Sequence, residues 1–315
     1  MVDGRPTQVP AKDLKKVVGV LERSARGVIV AGPVREPEVV GPAIGLLARA
    51  TGFPVLADPL SGARFGNYCG RQLVTTFDLF LRDPLVRRVL RPDVVLRIGG
   101  APTSASVLTY IQEYRGISQV LIRSGPWWRD HVEAASHTIH GDVVGFLEGM
   151  ASKLCDPPSP PEWCTRWADL DRAASAVLTV NSEQPFEGKV LNAVVDSLPP
   201  GGTLFVSNSM PVRDLDAFGG GGSKAFRVFG NRGASGIDGI ISTVAGIAAA
   251  GKEVGVDATS GTQLPVVAVL GDVAFHHDMN GLLAATKYKL NVLFVVINND
   301  GGGIFHMLPI RDHEP

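Results

Sequence analysis

No stretch of this sequence stays apolar for long enough to cross a membrane. The longest apolar run, Val292 to Ile297, is strand-sized against the roughly 18–20 residues that a spanning helix needs. The opening MVDGRPTQVP has none of the basic-then-apolar order of a secretory leader. Net charge is also lacking. The 30 Lys and Arg against 31 Asp and Glu leave −1, which removes the electrostatic reason to expect nucleic acid or an anionic membrane as partner. Cysteine is scarce: Cys69, Cys155 and Cys164 are three in 315 residues and form no CxxC pair. An odd number of distant cysteines in a chain large enough for its own core reads as reduced thiols in a reducing compartment, not as staples or a metal site. No internal repeat at a fixed period is present.

What is there is enough chain for two domains, with 45% hydrophobic and 19% charged residues, a globular composition. In the first half, strands are expected at Gly27–Ala31, Pro54–Ala57, Asp93–Ile98, Gln119–Ile122 and around Thr138–Ile139. Helices are expected over 11–26, 37–51, 103–114 and 142–153, with helical segments near 72–90. The second half repeats the style, with strands at Thr203–Ser207, Phe226–Phe229, Val266–Leu270 and Val292–Ile297 and helices over 161–179, 185–198, 238–250 and 277–288. Continuous apolar strands alternating with helices predict an α/β fold of two consecutive doubly wound parallel sheets, each covered on both faces. The segment Asp156-Pro-Pro-Ser-Pro-Pro161 is the strongest linker signal, because prolines favour an extended spacer. The expected organisation is a first domain over 1–155, a Pro-rich linker and connecting helix over 156–184, and a second domain over 185–315. A doubly wound sheet would continue past Pro315, so the second domain is expected to be truncated.

Strands of the second domain end in polar turns: Ser207-Asn208-Ser209, Gly271-Asp272 and Asn298-Asn299-Asp300-Gly301-Gly302-Gly303. Ligands of open parallel sheets bind at the carboxyl ends of the strands, so these turns are expected on one rim. Asp272 and Asn299 are one strand–helix–strand unit apart. A carboxylate and an amide oxygen on neighbouring strand ends suit one hard divalent ion that completes its shell with a diphosphate and water. The glycines at 301–303 let the chain turn a carbonyl toward that ion, and the helix after Asp272 is expected to offer amides to a phosphate. Taken singly, Gly-Asp after a strand or Asn-Asn before Gly is as well explained by turn chemistry. His276 and His277 read as capping or packing residues at a helix start, since Mg²⁺ prefers oxygen. Trp127 and Trp128 read as structural or as a domain contact.

The run GDVAFHHDMNGL followed at this spacing by NNDGGGIF resembles the thiamine-diphosphate signature, which begins GD and ends NN. More narrowly, NSMPVRD (208–214), NRGASGIDG (231–239) and NNDGGGIFHMLP (298–309) resemble the MenD family. The resemblance implies a thiamine-diphosphate- and Mg²⁺-dependent carboligase, with Mn²⁺ able to replace Mg²⁺. Such an enzyme decarboxylates 2-oxoglutarate and adds the succinyl carbanion to isochorismate in menaquinone and phylloquinone biosynthesis. It makes 1–155 the central, Rossmann-like domain and 185–315 the cofactor domain. Asp272, Asn299 and the carbonyl of Gly301 would hold the metal; Val273 and Ala274 belong to the same cofactor-binding segment. Ile237 would be the apolar wedge that bends the cofactor, and Ile304, Phe305 and Leu308 an apolar lining. Ser209, Arg213 and Arg232 would meet the acid substrates, where guanidinium forks suit carboxylates. Arg213 beside Asp214 and Asp216 also reads as a surface ion pair, and Ile237, Phe305 and Leu308 also read as plain core.

Two departures from the family accompany these matches. The family's N-terminal domain, which brings the activating glutamate, is missing, so a second subunit is expected to supply it, in a homodimer or tetramer, and the chain alone is expected to be inactive. Ala105 and Ser106 stand where relatives place basic residues. The compartment implied is the cytoplasm, or a plastid or peroxisome in a plant-type protein. Two other readings are another thiamine-diphosphate decarboxylase or carboligase, and a non-catalytic fragment or scaffold.

Overall fold

The β-branched runs of the first half form six parallel strands: β1 (Gly27–Ala31), β2 (Val55–Ala57), β3 (Leu73–Val74), β4 (Val94–Ile98), β5 (Ser118–Arg123) and β6 (His137–His140). The computed structural model describes residues 8–125, 130–180, 186–251 and 264–312; Trp127, Trp128 and most of residues 251–264 lie outside the described residues. The chain divides into two units, one of Met1–Glu183 with Gly220–Ser223, the other of Gln184–Gly219 with Lys224–Pro315.

In the first unit the strand order is β3-β2-β1-β4-β5-β6 and every pairing is parallel, a doubly wound sheet. The period-2 alternation of strand side chains splits its core in two. Ile29, Leu96 and Ile98 face one way, against α1 (Ala11–Glu22), α2 (Pro37–Thr51) and α6 (Val143–Lys153). Val28, Val30 and Val95 face the other, with Phe77 of α3 (Phe77–Phe80), Tyr110 of α5 (Ala105–Glu113) and Trp163 and Trp167 of α7 (Pro161–Val180). The helical stretch expected near 72–90 resolves into β3, α3 and α4 (Pro84–Val89), broken at Asp83-Pro84, where the Asp83 carboxylate caps the Leu85 amide. The helix expected over 11–26 stops at Glu22; beyond it Arg26 holds Asp93 with its guanidinium at 2.7 Å.

Helix α7, expected as a connection, is packed into the first unit: Trp167 is fully buried, and Trp163 donates its indole N–H to Gly27 O at 2.8 Å. Ser106 is buried and shares hydrogen bonds with Ser104 and with the Asp78 carboxylate, so this position serves the start of α5. The thiols of Cys69, Cys155 and Cys164 are free, and burial pushes Cys69 up to about 12, against the opposing charge of Arg49. Among the described residues no helix is long and apolar enough to cross a membrane.

The second unit carries β7 (Thr203–Val206), β8 (Arg227–Phe229), β9 (Val266–Gly271) and β10 (Val292–Ile297), all parallel in the order β10-β9-β7-β8. Phe205, Ala268 and Leu270 pack on α10 (Ile240–Ala250) through Ile240, Ile241 and Val244. Helices α8 (Glu187–Ser197) and α9 (Met210–Phe218) pack on each other, and α9 contacts β7 and β9. The single helix expected over 277–288 is instead α11 (Asp272–His277), a 3₁₀ turn at Met279–Gly281 and α12 (Leu282–Lys287). The break has a cause. Asp278 accepts from the amide and hydroxyl of Ser242, and a Cβ at Gly281 would lie 2.9 Å from the Ser242 nitrogen, so α10 presses against the turn. His276 and His277 therefore end a helix rather than begin one, and both are exposed.

Candidate active site

The order β10-β9-β7-β8 takes the chain from β7 to one neighbour and back to the other, so the topological switch falls between β7 and β9. The carboxyl edge there is where an open parallel sheet admits a ligand. A cavity of about 340 Å³ lies among the turns at this edge, within the roughly 300–1,000 Å³ of small-molecule sites. Ser209, Arg213, Arg232, Ile237, Asp272 and Asn299 line it, as do Val273, Ala274, Ile304, Phe305 and Leu308. Gly301 does not, although Gly302 and Gly303 do.

Asp272 opens α11, and its Oδ1 accepts the Val273 amide at 2.8 Å. That amide, expected to be open to a phosphate, is thereby spent on the carboxylate. Beyond β10, Asp300, Gly301 and Gly302 take φ of 61°, 87° and 64° in succession, a left-handed run that suits glycine and brings Gly303 back over Asn299. A Cβ at Gly303 would lie 2.4 Å from Asn299 Nδ2, so a side chain here would push the Asn299 amide from its place. The same Nδ2 donates to Glu187 Oε1 at 2.9 Å. Glu187 is the first residue of α8 and lines the cavity. Sequence reading missed it because its partner lies 112 residues away.

The opposite wall is cationic. Asn208, 1% exposed, donates through Nδ2 to the carbonyls of Asn231 and Gly236, both at 2.8 Å, and accepts from Arg232 Nη1 at 3.1 Å. It thus fastens the 231–236 turn to the end of β7 and aims Arg232. Ser209 holds φ of 70° before α9, a strained value for a residue with a side chain, and its carbonyl accepts from Arg213. Loss of solvent and then the charge of Arg232 lower the Arg213 guanidinium from its ordinary value. Next to it, burial and then the charge of Glu187 push Asp214 up to about 7, with Arg213 opposing. Among the described residues neither guanidinium is in an ion pair with a carboxylate, and two such close groups favour a ligand with more than one negative charge.

Among the described residues no group of three or more His, Cys, Asp or Glu side chains is arranged around a metal position. The donors at the edge of β9 and β10 are one carboxylate, one amide oxygen and backbone carbonyls. This oxygen-only set carries too little charge to hold a hard ion alone, and it fits Mg²⁺ that shares its shell with a diphosphate.

Comparison with known proteins agrees with this chemistry. Residues 12–206 match the family model described as the middle domain of thiamine pyrophosphate, and residues 239–311 match the thiamine pyrophosphate enzyme C-terminal TPP binding domain. The chain is 37% identical over 320 residues to the 2-succinyl-5-enolpyruvyl-6-hydroxy-3-cyclohexene-1-carboxylate synthase of Geobacillus thermodenitrificans, covering 100% of this chain and 51% of that protein. It is 39% identical over 289 residues to the synthase of that name from Chloroflexus aurantiacus, covering 90% of this chain and 47% of the other. The corresponding protein of Haloquadratum walsbyi is 37% identical over 325 residues, covering 93% and 51%. The chain thus spans about half the length of the curated relatives it matches.

Proposed function

From the premise that this chain belongs to the thiamine pyrophosphate enzymes, with synthases of the MenD type as its relatives, we propose that its second unit binds thiamine diphosphate and Mg²⁺ and serves the joining of 2-oxoglutarate to isochorismate with loss of CO₂. The observation that carries this reading is the meeting of Asp272, Asn299 and the left-handed 300–302 turn at the ends of the paired strands β9 and β10. Asp272, the Asn299 amide oxygen and the Gly301 carbonyl would hold the metal, with diphosphate and water as the remaining ligands. The bound cofactor supplies the electron sink for decarboxylation and carbon–carbon bond formation.

The chain's own residues do the positioning. Ile237 enters the cavity from the turn that Asn208 fastens and acts as the apolar wedge under the cofactor, with Ile304, Phe305 and Leu308 as apolar lining. Arg213 and Arg232 receive substrate carboxylates, and Ser209 lines the same cavity at the start of α9. The acid that activates the pyrimidine ring comes from the N-terminal domain of a second subunit in a homodimer or tetramer, in the cytoplasm. Asp272→Ala tests the metal assignment. Calorimetry with thiamine diphosphate and Mg²⁺ is expected to show at least a tenfold loss of affinity in a folded variant, and unchanged affinity rejects Asp272 as a ligand.

A further inference from the structure

We propose that Glu187 is a positioning residue that fixes which end of the Asn299 amide faces the metal and thereby sets metal affinity. The proposal rests on the reading above in which Asn299 Oδ1 is a metal ligand. The two ends of an amide have nearly the same shape, but only its oxygen can bind a cation. A half-turn about the last side-chain bond would replace Oδ1 by an NH₂ group that repels the ion. Something must therefore choose between the two orientations, and an ionised carboxylate, which accepts and cannot donate, does so without ambiguity. Glu187 Oε1 accepts a hydrogen bond from Asn299 Nδ2 at 2.9 Å, and the flipped amide would set oxygen against oxygen at that distance.

The carboxylate is firmly mounted. Glu187 occupies the first turn of α8, where the helix dipole favours an anion. A Cβ at the next residue, Gly188, would lie 2.4 Å from the ring of Phe218 and 2.5 Å from that of Phe186, so the start of α8 is pressed onto these rings. A Cβ at Gly303 would also meet this amide, 2.4 Å from Nδ2, so the chain is close against Asn299 and leaves it little room to find another partner. Partners of this kind, one bond removed from a metal, change affinity about 10–100-fold when lost.

The test is calorimetric titration of the 315-residue chain with thiamine diphosphate at fixed Mg²⁺, and with Mg²⁺ at fixed thiamine diphosphate. Glu187→Ala is expected to weaken Mg²⁺-dependent binding by about tenfold or more. Glu187→Gln, whose own amide oxygen can still accept from Asn299, is expected to stay within about threefold of the parent chain. The decisive arm is Asn299→Asp, where both ends of the side chain are oxygen and no orientation is left to choose. In that background Glu187→Gln is expected to strengthen Mg²⁺ binding, because it relieves repulsion between two carboxylates. A residue that only supports the fold would weaken binding in both backgrounds. Parent-like binding by Glu187→Ala overturns the positioning role if Asp272→Ala binds weakly, and so does weakening by Glu187→Gln in both backgrounds. No Mg²⁺-dependent binding by the parent chain, or parent-like binding by Asp272→Ala, overturns the site reading itself. Should Glu187→Ala fail to fold, the isosteric Glu187→Gln pair decides the matter alone.

Discussion

Folding puts Asp214 where a carboxylate resists ionisation. The residue is 4% exposed, its buried Oδ2 has no hydrogen-bond partner among the described residues, and Glu187 adds a like charge nearby. Burial first and Glu187 second raise it from 3.8 to about 7. Between those values the folded chain keeps a proton that the unfolded chain has released, so stability falls as pH rises through this window, by at most about 1.4 kcal/mol per pH unit. The cost is absent below the unfolded value and fully present above about pH 7. Asp214→Asn is expected to flatten this dependence and to gain most over the parent chain at pH 8, with little gain at pH 4. Denaturant midpoints measured at both values check it, and parallel curves for the two proteins would speak against a buried, strained carboxylate. The same neighbourhood marks what a sequence can disclose. Asp272 follows β9 directly and Asn299 stands two residues past the end of β10, so the apolar runs before them place both at a strand end. Glu187 carries no such local mark, since its meaning depends on a contact across 112 residues. Asn208 stands in a visible turn, but its hold on Asn231 and Gly236 appears only once β7 and β8 are paired.

Elements were legible where one face is wholly apolar. Strands β1, β4, β9 and β10 and helix α2 fall where β-branched runs and the Gly52 helix end put them. Helix α9 was not legible, because Asp214 and Asp216 are buried beside Val212 and Leu215 and blur the apolar stripe. Helix α7 was visible as a helix but not as a member of the first unit. Its partners, Phe80 and Tyr110, lie far upstream, each with its ring about 6.0 Å from that of Trp167 in an edge-on arrangement. The packing has a measurable cost. Trp167→Ala is expected to destabilise the first unit by about 3–5 kcal/mol through lost transfer energy and the cavity left behind. Trp167→Phe should cost less, since it keeps a ring and removes a buried indole N–H that has no partner among the described residues. Chemical denaturation followed by circular dichroism separates the two. A loss below about 1 kcal/mol for Trp167→Ala, the scale of a surface change, would make α7 the mere tether that the flanking prolines suggest.

At the scale of the molecule, the question is which steps these 315 residues carry out unaided. The family resemblance requires an acid hydrogen-bonded to the pyrimidine end of the cofactor, away from the metal. The carboxylates around the cavity have other commitments. Asp272 accepts its own neighbour's amide, Glu187 holds Asn299, and Asp278 binds Ser242 twice. Asp214 is buried beside Glu187 and does not line the cavity. Asp300 is exposed in the turn after β10, next to the proposed metal ligands. With the diphosphate at Asp272 and Asn299, as proposed above, none of them is placed to serve the far end of the cofactor. A cleft wall is also needed to keep water from protonating the reactive carbon. The 315 residues assayed alone, with thiamine diphosphate and Mg²⁺ in excess, are therefore expected to bind cofactor but not to join 2-oxoglutarate to isochorismate. Adding the N-terminal part of a relative such as that of Geobacillus thermodenitrificans, which this chain matches over about half its length, should restore product. The gain should vanish when the activating glutamate expected in the added part is replaced by glutamine. Mass spectrometry of the succinyl adduct reads the outcome, and repeated turnover by the 315 residues alone would place the activating acid within them.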